Sequence, residues 1–330
     1  MHSAPRRVSL TWLLAGGLAC GPAGADSGAD AGGTVERAFV TNQSAETVSV
    51  VALPDMRVIA TLPVTGKPAG VAVTTDGRRA FVSSPEGAFV TVLDTDPPAV
   101  RGRIALEGGP LGIAVHPSGA PLYVADWYAQ RVFVVDPASG QRLAELPTGL
   151  SPSGLAVSPD GALLASADRD SNQVSIFRTA DHVRVAVVPT GERPFGIGFS
   201  PDGAFLLSTD VGSDAVTVIE TAGWTVAATV AVGERPYAVA FAGGQAFVTN
   251  QYAGTVSVID VARWQVVAEV STGDYPEGIA AAADGRSVYV ANWFDNSLSR
   301  IDVDSLTVVG EARTGDGPRA FGAFIARVAR

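Results

Sequence analysis

The chain has 330 residues, 47% of them hydrophobic and 17% charged, with 37 Gly, 21 Pro and a formal net charge of −10. This composition builds a large globular core from many short strands and tight turns, and it excludes a disordered or fibrous chain. An acidic chain without a basic stripe also excludes nucleic acid as a partner and disfavours an anionic membrane surface.

Residues 1–25 read as a secretion signal: Arg6 and Arg7, an apolar run from about Val8 to Leu18, then small residues ending Ala23-Gly24-Ala25. The run is too short to span a bilayer. Cys20 is the lone cysteine, so a body cut after Ala25 has no thiol and no internal disulfide. Gly17-Leu18-Ala19-Cys20 resembles a lipobox with Gly where Leu, Val or Ile is usual, so lipidation of Cys20 and cleavage after Ala25 are both open. Asp26 to Gly33 contains no large apolar residue and reads as a flexible tether.

From residue 34 onward one unit repeats. Pro68, Pro110, Pro152, Pro194, Pro236, Pro276 and Pro318 are 42 residues apart, except for one step of 40 between Pro236 and Pro276. Asn42, Ser84, Asp126, Asp168, Asp210, Asn250 and Asn292 form a second ladder in step with the first. The unit from Glu234 to Gly273 shows four strand signals, at Tyr237–Ala242, Gln245–Thr249, Thr255–Val261 and Val266–Val270. These runs are short, β-branched and often apolar on both faces, as strands buried between neighbouring sheets are. Turns such as Pro159-Asp160-Gly161 supply the positive φ of a tight hairpin. A period near 42 with four strands per unit predicts an all-β, seven-bladed β-propeller over residues 34–330. The first copy starts at its second strand and the chain ends in an extra first strand, so a composite blade from both termini closes the ring. Phe321 to Ile325 is expected to pair with Arg37 to Thr41.

The segments Phe39-Val40-Thr41-Asn42, Phe247-Val248-Thr249-Asn250 and Tyr289-Val290-Ala291-Asn292, with Pro-x-Gly-Ile openings such as Pro110 to Ala114, resemble the YVTN-type β-propeller repeat family. The resemblance spans roughly residues 34–330 and is weakest at Phe81-Val82-Ser83-Ser84 and Leu164–Asp168. It implies an exported propeller, periplasmic or at the cell surface. Relatives of that type include surface proteins, periplasmic binding proteins, dehydrogenase subunits and lactonase-like enzymes, so the fold does not choose a function.

Chemistry is expected on the face where the loop after strand two meets the loop entering strand one. The Asn/Asp ladder has a ready structural role there, capping turn amides. Asp126, Asp168 and Asp210 on consecutive blades also form a candidate carboxylate arc for Ca²⁺, the one cofactor the chain suggests. The positions where the copies disagree are more informative. Trp127, Tyr128, Arg169, Gln251, Tyr252, Trp293 and Phe294 follow the ladder, and Arg193, Arg235, Tyr237, Tyr275 and Arg319 flank the prolines. This aromatic and arginine mixture marks an interaction surface for a protein or a small extracellular ligand. Glu192-Arg193 and Glu234-Arg235 are twins whose charges can pair. His116 and His182 fall on turns of the opposite face, and no nucleophile triad, zinc spacing or phosphate loop is present. The expectation is a monomeric, non-catalytic binding platform. The alternatives are a metal-dependent lactonase or lyase using Asp126, Asp168, Asp210 and Glu277, and a cell-surface structural repeat protein.

Overall fold

A computed structural model describes residues 33–329. Residues 1–32, which hold the expected signal, Cys20 and all but the last residue of the expected tether, lie outside the described residues. The repeat forms seven blades, each with four antiparallel strands, with a single 3-10 turn at Arg169–Ser171 as the helical element among those residues. The plan is clear in the fifth blade, where Pro194–Phe199, Phe205–Asp210, Ala215–Glu220 and Thr225–Ala231 follow one another from axis to rim. The middle two strands are almost wholly buried, while the outermost is mostly exposed.

The repeated second-strand tetrapeptide has a separate job for three of its positions. The leading aromatic wedges into the following blade: Phe81 packs with Ile113 and Leu122, and Tyr123 packs with Leu155 and Leu164. The hydroxyl residue ties that blade on, because Thr41, Ser83, Thr209 and Thr249 donate to the carbonyls of Ala69, Leu111, Tyr237 and Glu277 at 2.5–3.0 Å. The asparagine works inside its own blade, with the Nδ2 of Asn42, Asn250 and Asn292 donating to two hydroxyls on strand three. Backbones near the axis then approach too closely for a side chain. A Cβ at Gly112 would lie 1.7 Å from the Ser153 carbonyl oxygen, and one at Gly154 would lie 2.4 Å from that of Phe195.

Closure uses both termini, but with a different register from the expected one. Pro318 bridges to Asn42 and the Arg319 amide donates to the Thr41 carbonyl, as in a normal inner strand. Phe321–Ala323 then turns away and pairs in parallel with Gly70–Val73 of the second blade, giving that blade a fifth strand. The chain returns to the first blade as Ile325–Ala329, antiparallel to Thr34–Asn42, with Ala38 opposite Ile325. The reason for the detour is packing: Phe321 joins an aromatic cluster at the axis, and Phe324 is fully buried. The C-terminal segment, as two short strands, thus latches two blades.

Deleting residues 325–330 should therefore cost more than about 3 kcal/mol, since it removes Ala326 and Val328 from the core and bares a strand edge. Urea unfolding with size-exclusion chromatography checks this; an unchanged midpoint and a monomeric peak would show that the latch is dispensable.

Candidate functional site

The two loop sets do share one face, and backbone hydrogen bonds join them in every blade. The amides of Trp127, Arg169, Val211, Gln251 and Trp293 donate to the carbonyls of Gly109, Ser151, Arg193, Arg235 and Tyr275, and Gln43 and Glu86 make the equivalent links in the first two blades. Residues before and after each ladder position are therefore held rigidly beside one another.

The ladder itself is buried in this framework. Asp126 accepts from the Gly109 amide and from Arg131, which reaches it at 3.1 Å. Asp168 accepts from Gly149, Ser166, Gln173 and Ser175, and Asp210 from Gly191, Ser208 and Thr217. All three side chains are fully enclosed, each bonded to its own blade, so the structure does not gather them into an arc. Among the described residues no group of three or more His, Cys, Asp or Glu is placed to hold a metal ion. Burial raises the Asp168 carboxyl and pushes Asp210 up to about 6, against the hydrogen bonds of Ser175 and Thr217 respectively.

The residues after the ladder prolines are Ala69, Leu111, Ser153, Phe195, Tyr237, Glu277 and Arg319, and four of them, Ala69, Leu111, Phe195 and Tyr237, share one core cluster drawn from different blades. Phe195 stacks on Tyr237 at 4.3 Å between ring centres, Phe321 meets Phe195 edge-on at 5.6 Å, and Trp127 leans on Phe195 at 6.3 Å. These rings plug the axis. Beyond the plug lies an apolar cavity of about 540 Å³ lined by the inner strands and by turns of the opposite face.

A polar cluster sits beside the plug. Arg319 Nε donates to Glu277 Oε2 at 2.8 Å, its Nη2 to the Tyr237 hydroxyl at 2.6 Å, and its Nη1 to Gln43 Oε1 at 3.3 Å. Glu277 Oε1 accepts from Gln251 Nε2 at 2.9 Å. Glu277 and Gln251 are both buried, and Gln251 Oε1 has no hydrogen-bond partner. Burial pushes the Glu277 carboxyl upward and Arg319 opposes it, while burial raises the Tyr237 hydroxyl. The arrangement offers an acid, a phenol and an open amide oxygen within one network. Nothing local in the sequence marks Gln43 as a member, because its neighbour Arg319 lies 276 positions away along the chain.

The rim is aromatic on blades six and seven. Tyr275 lies 5.7 Å from Tyr252 and 5.0 Å from Phe294 between ring centres, and Tyr252 and Phe294 are 55% and 61% exposed. The Arg235 guanidinium covers Tyr252 at 4.5 Å and donates to its hydroxyl at 3.1 Å. Neither Glu192-Arg193 nor Glu234-Arg235 forms an ion pair, because Arg235 stacks and Arg193 is exposed with its amide bound to Asn172 Oδ1. Trp127 and Trp293 are half-buried: Trp127 packs on the plug under Arg169, and Trp293 lies under Arg319 at 5.6 Å. Arg169 also pairs with Asp170 at 2.6 Å, and Tyr128 stands exposed beside Gly109. His116 lies in its turn on the opposite face, bonded to Ser118 and to the Gly161 carbonyl, and His182 sits in an outer turn at positive φ.

The family model of seven-bladed β-propeller lactonases matches residues 188–323. No curated protein matches the chain. Among solved structures, the chain is similar to Kuenenia stuttgartiensis hydrazine synthase, at 24% identity and a TM-score of 0.70, over 77% of this chain and 89% of that one. It is also similar to a functionally unknown protein from Desulfotomaculum acetoxidans DSM 771, at 17% identity and a TM-score of 0.73, over 88% and 100% of the two chains. A third likeness is to the dihydro-heme d1 dehydrogenase NirN in complex with DHE, at 18% identity and a TM-score of 0.65, over 84% of this chain and 63% of that one. At these identities the likeness establishes the fold.

Two consequences are measurable. Asp210 binds its proton more tightly when folded than unfolded, so its contribution favours folding at low pH and is lost as pH rises from about 4 through about 6. Asp210→Asn, the residue three other blades carry, should raise the melting temperature by several degrees at pH 8, worth up to about 3 kcal/mol, and should do nothing at pH 4. A shift of equal size at both pH values would contradict the assignment. Arg319→Met leaves Glu277 buried and unpaired and should cost about 3–5 kcal/mol in urea, whereas Arg319→Met with Glu277→Gln should recover most of it; failure of the double variant to recover would break the proposed pairing.

Proposed function

We propose that the protein is an exported, monomeric propeller of the YVTN type whose loop-bearing face is a non-catalytic recognition surface. The observation that carries this reading is the contiguous Tyr252, Tyr275 and Phe294 cluster with Arg235 over it. Exposed rings cost hydration, and other blades place Ser44, Glu86, Asp170 or Gly212 at the corresponding sites, so the fold itself does not call for them. Rigid aromatics with an arginine and a polar network behind them are what a binding hot spot needs. Tyr128 and Arg193 extend the surface, while Trp127, Trp293 and Tyr237 support it from below. A protein is the partner this rim suits best, and the polar cluster around Gln251 suits a small ligand.

A second reading, lactone hydrolysis, draws on the family match at residues 188–323, which includes Tyr237, Glu277 and Arg319. Glu277, with its raised carboxyl next to Arg319, is its candidate acid or base. A Ca²⁺-dependent version would need Asp126, Asp168 or Asp210 to leave their partners, and we expect neither Ca²⁺ nor EDTA to move the melting temperature.

Tyr252→Ala with Phe294→Ala should melt within about 1 °C of the parent, since both side chains are largely exposed. Cross-linking in extract of the source cells, followed by titration of the captured partner in purified form, should show at least tenfold weaker binding by the double variant. Undiminished affinity would remove the rim from the site. Release of acid from simple lactones, abolished by Glu277→Gln in a folded protein, would favour the hydrolase instead.

A further inference from the structure

The 40-residue step in the ladder has a structural location. Pro236 and Asn250 are 14 positions apart, whereas the equivalent pairs Pro194–Asp210 and Pro276–Asn292 are 16 apart, so the two missing residues belong to the first hairpin of blade six. There Ala242 pairs directly with Gln245 across Gly243 and Gly244, both at positive φ. In blade five the same hairpin carries the longer turn Pro201-Asp202-Gly203-Ala204.

On the face away from the rim, the longer turns touch from blade to blade. Thr75 donates to the Pro117 carbonyl, His116 reaches the Gly161 carbonyl, and Gly203 sits against Pro159. Between blades five and six the shortened turn stops short, and a pocket of about 470 Å³ takes its place. Its walls are Phe205, Phe241, Val261 and Trp264, with the Phe205 and Trp264 rings edge-to-face at 4.9 Å. The volume is that of a small-molecule site.

Two polar features select the occupant. Gln245 lines the pocket and its Oε1 is buried with no hydrogen-bond partner, a loss that a ligand N–H would repair. Asp202 is the only charged residue of the lining, and the Ser200 hydroxyl and Ala204 amide hold its carboxyl below the usual range, so it is an anion at neutral pH. Aromatic walls, an unmet acceptor and a carboxylate together ask for a flat ring bearing a cationic nitrogen.

We propose that this pocket between blades five and six is a second binding site, distinct from the rim, for a small aryl-alkyl amine in its protonated form. The ring lies among Phe205, Phe241 and Trp264, the ammonium faces Asp202, and one N–H donates to Gln245 Oε1.

Calorimetric titration with tryptamine, tryptophol and indole-3-acetate separates the charges on a common ring. Tryptamine should bind best, the neutral alcohol about tenfold more weakly and the acid more weakly still. Gln245→Leu and Asp202→Asn should each weaken tryptamine by about tenfold in a protein that still unfolds cooperatively, while Tyr252→Ala should leave it unaffected. Inserting Pro-Asp between Ala242 and Gly243 restores the longer turn and should abolish binding; if that variant does not fold, Gln245→Leu and Asp202→Asn decide. Equal affinity for amine, alcohol and acid, full binding by the single variants, or no tryptamine binding at all would each overturn the proposal.

Discussion

Everything in this molecule depends on one constraint: a four-stranded sheet of about 42 residues is apolar on both faces and has no stability until a neighbour covers each face. Seven such sheets meet the requirement only as a closed ring, and closing it forces the innermost strands together around the axis. The backbone contacts at Gly112 and Gly154 are that crowding made visible, since a methyl group there would collide with the next blade's carbonyl. The aromatic wedge, the hydroxyl tie and the asparagine clasp of strand two repeat for the same reason. Each satisfies a need that every blade shares.

The same crowding makes the axis the place where the blades must differ. Residues from the innermost strands of several blades converge there, and large ones from every blade would not fit. The chain resolves this with small residues on one side, Ala69 and Ser153, and with Phe195, Tyr237 and Arg319 on the other. Burying Arg319 beside Glu277 is expensive unless the charges meet each other and their remaining groups are bonded. Gln43, Gln251 and Tyr237 supply those bonds, so a packing problem at the axis becomes a rigid polar network beneath an exposed aromatic rim. The shortened hairpin of blade six is the matching irregularity on the other face, where two absent residues leave an aromatic pocket instead of a turn-to-turn contact.

The fold was legible because its determinants are local and repeated. Prolines and Asn/Asp residues at a constant interval need no knowledge of distant contacts, and the hairpin turns announce themselves through Asp-Gly. By spacing alone the terminal strand matches the other first strands and reads as one piece. Its split between two blades follows from where Phe321 and Phe324 find room, which is a property of the assembled core. Of the positions that depart from the repeat, Tyr252, Tyr275 and Phe294 lie together on the rim. The separation of exposed rings from buried ones was not readable: Trp127 and Tyr128 are adjacent in the chain, yet one supports the plug and the other stands in solvent.

By itself, then, the sequence determined the blade count, the strand order and the face on which the variable loops collect, because periodic spacing and turn chemistry act over a few residues. Only the tertiary structure decided that Asp126, Asp168 and Asp210 serve separate blades, that Arg319 pairs with Glu277, and that a two-residue deletion opens a pocket. Those outcomes depend on which side chains converge across the axis and between neighbouring sheets, where charge burial and close packing act between residues tens to hundreds of positions apart.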